Sequence, residues 1–165
     1  EDAPALVILG DILRNGYLHR AIREQGGAYG GGASQDNNSG CFRFYSYRDP
    51  RSVDTFADYD GAIAWAAEGN INAQHLEEAV LGVIGSLDKP GSPAGEALST
   101  FQNNLHDRTP KVRKAFRQRL LKVTLEDISK VVKVYLQDKP ASEVVVGPNE
   151  LTKLDYFKEF QFFQV

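Results

Sequence analysis

Five of the seven residues from 26 to 32 are glycine, in the run Gly26-Gly27-Ala28-Tyr29-Gly30-Gly31-Gly32. A helix does not continue through such a stretch, because each glycine gives up more backbone freedom on ordering than any other residue. The run therefore divides the start of the chain in two. Before it, Leu6, Leu9, Leu13, Tyr17 and Ala21 recur every three or four residues, and Ile8, Ile12 and Ile22 widen the stripe. That spacing predicts an amphipathic helix entered at Asp2 and Pro4. Gly26-Gly27 ends it, since glycine accepts the left-handed conformation common at helix ends. After the run, residues 28–35 read as extended and Asp36-Asn37-Asn38-Ser39-Gly40 as a turn. Residues 41–47 read as a second strand, with Phe42 and Phe44 on one face and Tyr45 and Tyr47 on the other.

The remainder reads as mostly helical. Phe56, Tyr59, Ile63 and Ala66 form a stripe after Ser52, and Asn72 caps a helix through Leu76, Val80, Val83 and Ile84. Ser92-Pro93 and Thr109-Pro110 each pair a cap with a proline suited to the first turn. Thr124 and Asp127 have the spacing of a capping box. Val144-Val145-Val146 is a β-branched run that predicts a buried strand joining the earlier hairpin. The expected fold is α+β, an antiparallel-rich sheet with helices on one face. It forms a single domain over residues 1–150, followed by a Phe-rich tail over 151–165.

Composition removes several function classes. Hydrophobic residues make up 42% and charged residues 25% of 165, which excludes a disordered or collagen-like chain. A net charge of −3 gives no basic field for general nucleic-acid binding, so the basic stretch from Arg108 to Lys122 reads as a solvated helix face. The apolar stretches are too short to cross a bilayer. The one cysteine, Cys41, supports neither a disulfide nor a zinc-thiolate site and reads as a small buried hydrophobe. The chain has no methionine and starts at Glu1, so it is expected to be a piece of something longer.

Few residues are equipped for chemistry. His75-Leu76-Glu77-Glu78-Ala79 misses the inverted zinc motif His-x-x-Glu-His at its last position, and His19 and His106 have no partner at ligand spacing. No metal site is expected in this chain. The glycine run is not a phosphate loop: a helix precedes it, a strand follows it, and no lysine is near. Its use would be to let another backbone approach closely. Arg23 and Tyr29 flank the run, and a sharp turn would bring a permanent cation and a hydroxyl donor onto one face. On spacing alone, however, an arginine stem over apolar surface and a half-buried strand tyrosine is the simpler reading. Tyr47-Arg48 reads as strand-end packing.

The stretch Ala21-Ile22-Arg23-Glu24-Gln25-Gly26-Gly27-Ala28-Tyr29-Gly30-Gly31-Gly32-Ala33 resembles the C-terminal region of the presequence proteases, members of the pitrilysin/insulinase class of zinc metallopeptidases. Phe44-Tyr45-Ser46-Tyr47-Arg48-Asp49-Pro50 resembles the hairpin strand that follows there, and the order of elements agrees through Gly147. The resemblance implies the last of four related α/β domains, of the mitochondrial-processing-peptidase-like type, closing with the N-terminal half of the same chain around a peptide substrate. It implies zinc bound by the first domain of the parent. Arg23 and Tyr29 fall on positions that hold the substrate backbone and stabilise the tetrahedral intermediate, and Gly30, Gly31 and Gly32 would let an extended substrate pass close by. The isolated chain is then expected to be inactive. Two rivals stand beside this reading: a non-catalytic scaffold subunit of the same class, and a phosphate or small-molecule module using the glycine run. The family occurs in bacteria, mitochondria and plastids, and nothing in these residues selects among them.

Overall fold

The computed structural model describes residues 1–164. A central helix, α1 (Ala3–Leu13), is buried almost all round: Ala5, Leu6, Ile8, Leu9, Ile12 and Leu13 are all in the core. A helix apolar on every side has to be enclosed, and α1 is packed against the hairpin and three other helices. Without a break it widens into a π-helical stretch, Arg14–Gln25, which keeps only Leu18 and Ile22 fully buried. The reversal comes at Gly27, where φ is +78°. Gly26 keeps a right-handed helical backbone, so only the second of the two glycines uses its conformational freedom.

Strands β1 (Gly30–Asp36) and β2 (Cys41–Tyr47) form an antiparallel hairpin in which Gly30 faces Tyr47 and Asp36 faces Cys41. The Asp36 carboxylate closes the turn by accepting from the Asn38 N–H and the Ser39 hydroxyl. In β2 the even positions are half-buried and the odd ones exposed, so Phe42 and Phe44 face the core while Tyr45 and Tyr47 face out. Cys41, at an odd position, is exposed, which corrects its reading as a buried hydrophobe.

Four further helices surround this core: α2 (Val53–Ala67), α3 (Ala73–Leu87), α5 (Pro110–Leu120) and α6 (Leu125–Val131), the last running into a π-helical turn, Val132–Leu136. A fifth, α4 (Pro93–Leu105), buries no residue. The caps fall where the sequence predicts them: Asn72, Ser92, Thr109 and Thr124 each accept a first-turn N–H. Asp2 and Ser52, at the starts of α1 and α2, make no side-chain cap bond. The Asp2 carboxylate takes Lys130 Nζ and the Tyr135 hydroxyl, both at 3.0 Å, and so ties the start of α1 to α6 and the π-helical turn that follows it.

The fold is α+β, with a two-stranded sheet among the described residues. Residues 144–146 form no regular element and pair with no strand, and Val144 and Val146 are 82% and 88% exposed. The expected third strand is therefore absent from the hairpin's sheet; no described strand offers this run a ladder. The segment beyond it returns to the core: Phe157 is buried, and Tyr156 stacks on Phe56 of α2 at 5.7 Å.

Candidate functional site

The reversal at Gly27 folds the end of the π-helical stretch back onto the end of the hairpin. The Gly27 N–H donates to the Arg23 carbonyl, the Ala28 N–H to that of Ile22, and the Tyr29 N–H to that of Arg48. Three backbone bonds thus fix where Arg23 and Tyr29 stand. His19, Arg23, Glu24, Gly27, Ala28, Tyr29 and Arg48 line one shallow surface depression of about 590 Å³. Arg23 is exposed, and Tyr29 keeps 63% of its surface open to solvent. The two residues singled out on either side of the glycine run therefore share one open face.

Each side chain in the depression has a neighbour that orients it. Arg23 Nη1 lies 3.2 Å from His19 Nε2, and His19 Nδ1 lies 3.4 Å from a Glu24 carboxylate oxygen. A neutral imidazole carrying its proton on Nδ1 satisfies both contacts, accepting from the guanidinium and donating to the carboxylate. The Tyr29 ring meets the edge of Tyr47 at 5.7 Å, and the Arg48 guanidinium sits over its face at 5.2 Å. Such a site offers two guanidinium groups and a phenol as donors, with one carboxylate at the rim.

The glycines serve this packing. A side chain at Gly30 would overlap the Tyr47 ring, whose Cζ lies 2.5 Å from where a Cβ would stand. At Gly31 it would press on Ile22, 3.0 Å away, and at Gly32 on the Arg14 stem, 2.8 Å away. The close approach read from the sequence is made, on the side a Cβ would occupy, by the chain's own helix and by Tyr47. Beneath the depression Arg51 acts as a clamp: Nη2 donates to the Ala21 carbonyl at 3.3 Å and to the Asp58 carboxylate at 2.7 Å. A side chain at Gly26 would overlap that guanidinium.

The residues do not fit a zinc site. Among the described residues no three His, Cys, Asp or Glu side chains converge on a point that could hold a metal. His75 is spent on the N-cap of α3, where Nδ1 accepts the Asn72 N–H at 3.3 Å, and its ring packs on Trp65. Among the described residues no helix is long and apolar enough to cross a membrane.

Comparison with known proteins places these observations in a family. The sequence profile described as the PreP C-terminal domain matches residues 2–147. The chain is 38% identical over 157 residues to the mitochondrial presequence protease of Danio rerio, covering 93% of this chain and 15% of that protein. It is 40% identical over 151 residues to that of Eremothecium gossypii, covering 89% and 15%. It is 35% identical over 166 aligned residues to that of Candida albicans, covering 100% and 16%, so that similarity takes in the tail as well. The chain spans about 15% of the length of these relatives. A helix, a glycine reversal and an aromatic hairpin in this order, matched over nearly their whole length, make the chain a member of the PreP C-terminal domain family.

Proposed function

We propose that this chain is the C-terminal part of a presequence-protease-like zinc endopeptidase acting on unfolded peptides, to which it supplies hydrogen-bond donors. The zinc belongs to a part of the parent protein outside these residues, and no step of the chemistry runs through a metal here. Arg23 donates from its guanidinium to a carbonyl of the bound peptide and holds the backbone in place. Tyr29 donates its hydroxyl proton to the oxygen that becomes negative as the scissile carbonyl turns tetrahedral. A donor aimed at developing charge is worth more in the transition state than in the ground state, which is what raises kcat. Every second residue of β1 directs its N–H and C=O away from β2, and no other described strand takes them. Gly30 and Gly32 are buried against Tyr47 and the Arg14 stem, so of Gly30, Gly31 and Gly32 the half-buried Gly31 is the one left to offer an extended peptide its backbone.

One observation carries this reading: the guanidinium of Arg23 and the phenol of Tyr29 line the same open depression in a chain of this family. The test is Tyr29→Phe in the full-length parent. Losing one oxyanion donor lowers kcat by about 10²–10³-fold, and KM and zinc content should be unchanged. Wild-type turnover would remove Tyr29 from the mechanism, and a parent with no peptidase turnover at all would leave this chain a scaffold.

A further inference from the structure

We propose that Arg48 is a positioning residue for Tyr29; the inference rests on the role just proposed for that tyrosine. A phenol 63% exposed at the mouth of a depression has little packing to hold it in one direction. Arg48 supplies the missing restraint twice. Its carbonyl accepts the Tyr29 N–H at 3.2 Å, and its guanidinium covers the Tyr29 ring at 5.2 Å from the centroid. Tyr47 closes the ring from the side.

The backbone at Arg48 is what makes both contacts possible. Its φ is +49°, a left-handed conformation that is uncommon for a non-glycine residue. Backbone held there costs energy and persists only where surrounding structure imposes it, and such positions cluster at functional sites. Had the strand end needed only a turn, glycine would serve without that cost. Arginine adds the cation above the ring. A cation on an aromatic face at an exposed site shifts a conformational equilibrium by about two- to fivefold, enough to bias which way the phenol points. Arg48 acts through Tyr29 and does not itself touch the reacting atoms.

Three substitutions in the full-length parent separate the backbone from the cation. Arg48→Gly keeps the left-handed backbone and removes the cation, Arg48→Gln keeps a polar side chain and removes the charge, and Arg48→Lys restores a charge over the ring. Arg48→Gly and Arg48→Gln should each lower kcat about two- to fivefold with KM unchanged, as expected when a reacting group is held less well. Arg48→Lys should recover most of the loss. In a Tyr29→Phe background, Arg48→Gly should cost nothing further, because there is no hydroxyl left to aim. The inference is overturned if Arg48→Gly turns over like wild type while Tyr29→Phe is impaired. It is overturned equally if the two losses multiply, or if Arg48→Gly raises KM and spares kcat, since that would make Arg48 a substrate contact. Wild-type turnover in Tyr29→Phe alone would sink both this inference and the role of Tyr29 beneath it.

Discussion

Replacing Gly26 by alanine should destabilise the protein even though the backbone there suits alanine. With φ at −81° and ψ at −21°, Gly26 is in the right-handed helical region, where alanine is stabilising by about 0.4–1 kcal/mol through the unfolded chain. The obstacle is spatial. A Cβ would overlap the Arg51 guanidinium and stand 2.5 Å from the Ile22 carbonyl oxygen. Arg51 would be driven from the Asp58 carboxylate at 2.7 Å and the Ala21 carbonyl at 3.3 Å. A hydrogen bond to a charged group is worth about 1.5–3 kcal/mol, and the longer one counts for less, so the gross loss is about 2–4 kcal/mol and the net loss about 2 kcal/mol. At a urea slope of about 2 kcal/mol per molar, the unfolding midpoint falls by roughly 1 M. The fluorescence of Trp65, the one tryptophan, packed between Tyr17 and His75, reports it. Gly26→Ala and Arg51→Ala should be strongly sub-additive, because the second removes what the first displaces. A neutral or stabilising Gly26→Ala, or costs that simply add, would refute the clamp.

Thr124→Ala removes the acceptor for the Asp127 N–H at the start of α6 and should cost about 1 kcal/mol in the same unfolding assay, with Thr124→Ser close to neutral. Stability should also fall in acid. Asp2 is held below the ordinary carboxylate range by bonds from Lys130 and Tyr135, Asp36 by the Asn38 N–H and the Ser39 hydroxyl, and Asp88 by Arg117. A carboxyl depressed in the folded state binds fewer protons than in the unfolded chain, so its contribution is fully present above the unfolded value, about 3.9 for Asp. It is lost as pH falls from there through the folded values, and thermal unfolding scanned downward from pH 5 should show Tm dropping most steeply below about 4. Asp88→Asn should flatten that slope.

What the sequence made legible was local. Four helix starts could be read because a cap and its N–H partner lie within three residues, and side-chain alternation in β2 could be read because it has period two. Cys41 follows the same alternation: at an odd position it shares the solvent face with Tyr45 and Tyr47, and strand position outweighs the general tendency of cysteine to be buried. The valines at 144–146 carried a real β preference, but a strand also needs a neighbour, which lies beyond what one segment's composition encodes. Arg23 and Tyr29 were found through family resemblance, not spacing. Arg48, nineteen positions beyond Tyr29, reads as strand-end packing in the sequence, where its φ is invisible. Only the pairing of the two hairpin ends brings it over the ring.

The contacts of His19 are hidden in the sequence for a more instructive reason. On an α-helix, partners lie three and four residues away, because the helix advances about 100° per residue and only those positions lie above one another. Glu24 is five residues from His19, which in an α-helix places it roughly 140° past the starting face. The π-helical stretch bonds i to i+5, and its wider turn brings the fifth residue into line. One imidazole can then meet Arg23 at i+4 and Glu24 at i+5 together. The widening thus gives the imidazole that meets Arg23 a second contact, to Glu24. An α-helix that narrowed here would keep Arg23 beside His19 and turn Glu24 away. The candidate site is therefore built on a departure from regular helix, which a reading tuned to the period of 3.6 is bound to miss.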